Sequence, residues 1–304
     1  MTPPDSRSAH AATPDSYYGR PILKEPVWKP QIPFYLFTGG LAGASGVLSL
    51  AARISGDQRL ARTSLYVGLA GELVSPALLV TDLGRPERFL NMLRVFKVTS
   101  PMSVGSWILF ASGGATTTAA VCDKLARLPR AKRAAEIVSG VSGAPLAVYT
   151  ATLLSDTAVP VWHEARRELP FVFAAGSAAS AGAAATLLLP PRAARSSRRL
   201  AVAGALAGEC MTFAMLRRLD FLAEPYQQAE AGTYKRVATA ATLAGASLLA
   251  RRGGRSRPSA VTGSALILAG ELALRWSIFK AGLQSARDPD YTVRLQRRRL
   301  RQNQ

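Results

Sequence analysis

The chain is poor in residues that hold metals: its 304 residues include two cysteines, Cys122 and Cys210, and two histidines, His10 and His163. A structural zinc or an iron–sulfur cluster takes about four ligands. Neither thiol has a CxxC-type neighbour, so both read as inert buried thiols. Both histidines fall outside the apolar segments described below, which excludes a bis-histidine haem inside a helical bundle. No haem or iron–sulfur cluster is therefore expected in this chain, and a redox role would place the metal on another subunit. Acidic side chains are scarce too, 19 against 38 Lys and Arg, for a formal charge of +19. The first ~30 residues lack an apolar signal core and a twin-arginine pair, so the first apolar segment is expected to act as an uncleaved signal anchor.

What the sequence has in quantity is apolar blocks separated by charge. Eight stretches, roughly 33–52, 63–82, 102–122, 137–155, 169–189, 199–219, 234–250 and 260–280, approach the ~20 residues that cross ~30 Å of hydrocarbon. The mean hydropathy of +0.12 conceals them, because averaging cancels blocks such as 108–121 against clusters such as Arg192, Arg195, Arg198 and Arg199. The expected fold is all-α, a polytopic membrane protein with eight transmembrane helices over 33–280. A polar arm (1–32) precedes the bundle and a basic tail (281–304) follows it. A basic chain also suits nucleic acid. Here, however, the cations recur at every second loop of a hydrophobic repeat and no nucleic-acid module accompanies them. Lipid headgroups are the expected partner, and nucleic acid is not.

The loops also set an orientation. Loops 53–62, 123–136, 190–199 and 251–259 carry sixteen Lys and Arg against Asp57, Asp123 and Glu136. The opposite set mixes its cations with carboxylates, so the first set is expected in the cytoplasm and both termini outside. Arg297, Arg298, Arg299 and Arg301 run against this, but they lie at the edge of the distance over which the rule counts charge.

Polar groups inside the apolar segments are informative, because a charge at mid-bilayer costs at least ~2.5–3.5 kcal/mol and needs a protein-lined or wet setting. Ala70-Gly71-Glu72, Ala207-Gly208-Glu209 and Ala269-Gly270-Glu271 repeat one string, and Glu271 stands four residues before Arg275. Glu72, Glu209, Glu271 and Arg275 are candidates for a proton path, while Glu271 with Arg275 also reads as a compensated ion pair. Gly39, Gly40, Gly43 and Gly46 provide the small-residue spacing of a close helix–helix contact. Pro76 and Pro145 allow kinks.

The most specific stretch runs Asp82-Leu83-Gly84-Arg85-Pro86-Glu87-Arg88-Phe89-Leu90-Asn91-Met92-Leu93. Physically it reads as a helix end, a tight turn at Gly84 and a short interfacial helix over 89–96 started by Pro86. Together with Ser100-Pro101-Met102-Ser103-Val104-Gly105-Ser106-Trp107, Phe34-Tyr35-Leu36-Phe37-Thr38-Gly39-Gly40 and Pro145-Leu146-Ala147-Val148-Tyr149-Thr150, it resembles the NrfD/PsrC family of polysulfide-reductase-type membrane subunits. Val104 and Ala151 stand where many members have Trp and Gly. The resemblance implies an eight-helix subunit that binds menaquinone non-covalently. It also implies partners docked on the outer face: a four-cluster ferredoxin-like iron–sulfur subunit and a molybdopterin catalytic subunit. The implied quinone face carries Trp28, Gln31, Asp82, Arg85, Trp107, Tyr149 and His163, with Tyr149 donating to a quinone oxygen and Asp82 accepting a proton. Structural roles stand beside these: belt residues for Trp28 and Trp162, an anchor for Tyr149, a solvated loop position for His163, a salt bridge for Asp82 with Arg85. Proton or ion translocation without quinone turnover is the alternative function.

Overall fold

A computed structural model describes residues 22–82 and 91–302, and the regular elements there are all helical. The eight predicted segments all become helices: α1 Gln31–Ile54, α2 Gln58–Asp82, α3 Pro101–Leu125, α4 Pro129–Ser155, α6 Leu169–Leu188, α7 Arg195–Leu219, α8 Ala229–Arg251 and α9 Arg257–Arg287. Short α5 Pro160–Glu164 precedes α6, and α10 Pro289–Gln302 follows α9. Most run past the apolar core predicted for them, because a helix continues through its charged flank until a capping or turn residue stops it. Pro101, Pro129 and Pro160 occupy first turns, where the missing N–H costs nothing. Ser100 and Ser256 cap α3 and α9 by accepting the N–H groups of Ser103 and Ser259.

Six of the eight, α1, α2, α4, α6, α7 and α9, are long and apolar enough to cross a membrane by length and composition. The other two, α3 and α8, have 25 and 23 residues, but neither contains as apolar an uninterrupted stretch.

The long helices form two four-helix bundles, α1–α4 and α6–α9, which meet where α1 and α4 pack on α6 and α1 reaches α9. Glycine sets both seams. A Cβ on Gly43 of α1 would come 2.4 Å from the Gly143 carbonyl of α4, and one on Gly245 of α8 would come 2.6 Å from the Gly263 carbonyl of α9. The small-residue spacing in α1 thus serves helix packing, as expected of interfaces that gain no hydrophobic drive from lipid.

At one end of the bundle gather residues 22–30, α5, the 3-10 turn Asp220–Tyr226 and α10. Trp28 stacks on Trp162 at 5.4 Å, Arg287 bonds Glu25, and Asp82 accepts the N–H of Lys29 at 3.0 Å. The basic tail is a helix held by ion pairs from Arg298 to Asp220 and from Arg299 to Glu164. The opposite end holds the basic loops. There Arg62 and Lys132 converge on Asp123, Arg53 bonds Glu136, and Arg257 caps α6 through the carbonyls of Leu187 and Leu189. Two expectations change. Glu136, assigned to a loop on the sequence, is buried within α4, and Cys210 is exposed on α7 while only Cys122 is buried.

Candidate functional site

Glu72 occupies the middle of α2 and is 4% exposed. Ser112 of α3 donates to its Oε1, while Oε2 is buried with no hydrogen-bond partner among the described residues. Four residues on, Pro76 lacks the N–H that would otherwise bond the Glu72 carbonyl, which loosens α2 at this level. Beside the carboxylate lies a cavity of about 230 Å³, lined by Glu72, Pro76, Ser106, Leu109 and Phe110, with Gly113, Gly114 and Thr117 completing it. Phe110, Gly114 and Thr117 are exposed, so the cavity opens sideways between α2 and α3 and not along the bundle axis. A Cβ on Gly113 would stand 3.4 Å from Glu72 Oε2. Glycine there gives the carboxylate room.

Tyr149 of α4 is outside the cavity lining but touches α3 one residue before Ser106. Its ring lies flat on Gly105, where a Cβ would come within 1.8 Å of the ring, and its hydroxyl is directed toward Tyr35 of α1. Trp107, next to the cavity residue Ser106, meets Phe110 edge-on at 6.1 Å, and its Nε1–H is buried without a hydrogen-bond partner among the described residues. Away from the cavity a line of buried polar groups descends the first bundle. Thr116, one turn from Ser112, shares a 2.7 Å hydrogen bond with Ser139, and Ser139 stands one turn from buried Glu136. The line ends in the Arg53, Lys132 and Asp123 network. Burial alone would raise Asp123, which lies just past the predicted 102–122 span, but Lys132, Tyr66 and Arg62 together hold it below the ordinary aspartate range. A buried carboxylate with a free oxygen, donors nearby and a polar line toward water can take a proton from a ligand and pass it on.

Residues 22–249 match the family described as polysulphide reductase, NrfD. The chain belongs to that family. It is therefore a membrane subunit of the polysulfide-reductase type, and the resemblance seen in the Asp82–Leu93 and Ser100–Trp107 strings is one of descent. A search of the curated proteins finds no match.

Within this NrfD chain the predicted quinone-face residues divide. Trp107 and Tyr149 flank the cavity residue Ser106, one next to it in sequence and the other packed on Gly105, but neither they nor Trp28, Gln31, Asp82 and His163 line the cavity itself. Trp28 is packed on Trp162, whose Nε1 donates to the Ile278 carbonyl at 2.8 Å and whose ring rests on Gly282. Gln31 opens α1, its Oε1 buried and unpartnered among the described residues. His163 is half-buried, and Asp82 anchors Lys29. Arg85, with the rest of 83–90, lies outside the described residues, so its pairing with Asp82 is outside them as well. Of the predicted interfacial helix over 89–96, the described part is helical only at Asn91 and Met92.

The proton-path candidates also divide. Glu271 and Arg275 are 2% and 1% exposed and stand 3.8 Å apart in α9, with Arg275 over the Phe173 ring at 4.0 Å. Gly176 of α6 closes on them: its Cβ would fall 2.1 Å from Glu271 Oε2. Glu209 is half-buried and accepts from Thr239 at 3.0 Å. None of the three lines the Glu72 cavity. Sequence reasoning missed Gly105, Ser106, Phe110 and Ser112 as site residues. The available signal was a serine and a threonine four apart, Ser112 and Thr116, on one face of a helix otherwise rich in small and apolar residues.

Proposed function

We propose that this chain is the quinone-reactive membrane subunit of a molybdopterin-type oxidoreductase. On this reading it exchanges electrons between the menaquinone pool and a four-cluster ferredoxin-like iron–sulfur partner, and the Glu72 cavity receives the quinone headgroup. The Glu72 carboxylate carries the reading: a charge-bearing group at mid-helix, with one oxygen held by Ser112 and the other unpartnered at a cavity open to the side of the bundle. Such a group in an apolar setting is a functional site by default. At about 230 Å³ the cavity is smaller than the roughly 300–1,000 Å³ of most ligand pockets. That suits a ring headgroup whose isoprenoid tail stays in lipid.

Menaquinol supplies two electrons, which pass to the iron–sulfur partner, and two protons. Glu72 Oε2 accepts the two protons one after the other, the first passing on before the second arrives, and Ser112 keeps the carboxylate aimed at the cavity. Tyr149, packed on Gly105, braces α3 beside Ser106, and the Trp107 N–H is a further donor next to it. Ser112, Thr116, Ser139 and Glu136 lead the proton toward the basic-loop end. This revises the sequence expectation in one respect: Glu72 replaces Asp82 as the proton acceptor. We infer further that α3 and α8 also cross the membrane, making eight spans. The hydroxyls of Ser106 and Thr118 in α3 bond the carbonyls of Met102 and Gly114 within their own helix, which lowers the cost of placing them in lipid. The termini end is then extracytoplasmic, which reporter fusions at either terminus would read directly.

The test is menaquinone content and quinol oxidation by the purified complex. Glu72→Gln is expected to retain quinone while slowing its oxidation about 100-fold, the usual scale for losing a positioned base. Unchanged oxidation would remove Glu72 from the reaction.

A further inference from the structure

The termini end carries a groove that quinone chemistry leaves unused. It measures about 390 Å³ and is walled by α5 with the turn after it, by the end of α7 with the following 3-10 turn, and by α10. Leu219, Phe221, Leu222 and Leu295 form its floor. Its rim is Arg166, Arg167, Arg218, Arg298 and Arg299, with Glu164 as the one carboxylate.

Charge in the groove is layered. Glu164 and Glu168, which accept from Arg299 and Arg218, are 20% and 17% exposed, while Arg166, Arg218, Arg298 and Arg299 are 46%, 36%, 50% and 53% exposed. Those two acids lie beneath and the guanidinium groups lie above, so the surface presented is positive. Asp220 beside Arg298, and Glu224 and Asp290 beside Arg294, are exposed exceptions at 69%, 44% and 66%. Arg167 is exposed and makes no ion pair among the described residues. The α10 wall is fixed: Tyr291 is buried with its hydroxyl on Glu224, and Arg294 sits 4.5 Å from the centre of the Phe221 ring.

The shape of this charge selects the partner. Arg294, Arg298 and Arg301 run along α10 for about 10 Å at 1.5 Å per residue, Arg294 lying 3.9 and 3.7 Å from Glu224 and Asp290 and Arg298 3.3 Å from Asp220. A single phosphate is gripped by guanidinium groups that converge on one point. A row of cations above an apolar floor instead matches a polypeptide carrying several carboxylates and an apolar side chain between them. We infer that the groove is a docking site for an acidic segment of a partner polypeptide, which, resting on the function proposed above, belongs to the iron–sulfur subunit. The α10 wall lies beyond the residues that match the family.

The full chain in nanodiscs of zwitterionic lipid, titrated with a fluorescent oligoglutamate peptide, tests this. Arg167→Glu, which breaks no ion pair among the described residues, is expected to weaken binding about fivefold or more and to flatten its salt dependence, as rim-charge reversals do. Arg298→Gln should weaken it less. Reversal at the opposite end, Arg251→Glu with Arg252→Glu, should leave it unchanged. Equal losses at both ends would reduce the binding to bulk charge and overturn the site. So would displacement of the peptide by added anionic lipid, with the groove variants losing that lipid instead. Menaquinone content of the same samples is an independent readout. Its absence throughout would sink the quinone reading without touching the groove, and its retention in Arg167→Glu beside lost peptide binding would locate the effect in docking.

Discussion

In the first bundle Glu72 has one oxygen on Ser112 and the other facing a side-opening cavity; in the second, Glu271 lies against Gly176, and its Oε2, likewise without a hydrogen-bond partner among the described residues, stands 3.8 Å from the Arg275 guanidinium. Both carboxylates follow the same Ala-Gly string, on helices of similar composition. They differ in what packs across from them. Opposite Glu72, α3 supplies a hydroxyl and then falls away at Gly113 and Gly114. Opposite Glu271, α6 presses a glycine backbone onto the carboxylate and a carbonyl and aromatic ring onto Arg275. An uncompensated carboxylate beside a cavity suits proton exchange, whereas one sealed with a guanidinium suits structural neutrality.

The sharpest way to break this contrast is to neutralise each carboxylate. Glu271→Gln leaves Arg275 buried without its counter-charge, and thermal unfolding in detergent should show a loss of about 3–5 kcal/mol. Replacing both, Glu271→Leu with Arg275→Met, should recover most of it. Glu72→Gln should change stability by less than about 1 kcal/mol while collapsing quinol oxidation. A large fall in stability for Glu72→Gln with little for Glu271→Gln would reverse the assignment.

Next in size are the glycines. In Gly105→Ala the new methyl meets the Tyr149 ring, and in Gly176→Ala it meets Glu271. Each should cost about 1–3 kcal/mol by overpacking, but only Gly105→Ala should lower menaquinone content.

Smaller again is Asp123 at the foot of the first bundle. Its folded pKa lies below the unfolded value, so its contribution is present above the ordinary aspartate pKa and is lost as pH falls through the folded one. The stability difference between the wild-type chain and Asp123→Asn, about 1 kcal/mol near neutrality, should therefore vanish only in strong acid. Smallest is Asp82→Asn, which weakens one exposed bond to the Lys29 N–H. It should cost under about 1 kcal/mol and speed limited proteolysis before α1, with oxidation unaffected. A strong effect on oxidation would return Asp82 to the proton-accepting role.

Much of the fold was legible because its signals are local. Apolar blocks with basic flanks located all eight long helices, and the Asp82–Leu93 string with Ser100–Trp107 pointed to the family without any contact being known. The helix ends were less legible, since α4 begins at Pro129 and not near 137, and α9 continues to Arg287; charged turns add helix without adding hydrophobicity. The site was read in part. Tyr149 and Trp107 stand on either side of Ser106, whereas Trp28 stacks on Trp162 and Trp162 packs on α9, contacts between residues more than a hundred positions apart. Glu136 and Cys210 were misjudged for the same reason: exposure depends on the neighbouring helix, which composition does not name.

The sequence by itself determined that this is a basic, helical, membrane-type chain of the NrfD family, poor in metal ligands, because hydropathy, charge alternation and a signature string are properties of consecutive residues. Only the tertiary structure decided which of three similar glutamates faces a cavity, which is packed beside an arginine, and that the basic C-terminal segment folds back over the mixed-charge loops at its end of the bundle. Those outcomes depend on distances between residues far apart in sequence. Glycine and hydroxyl placement on the facing helix sets those distances, and no local pattern encodes them.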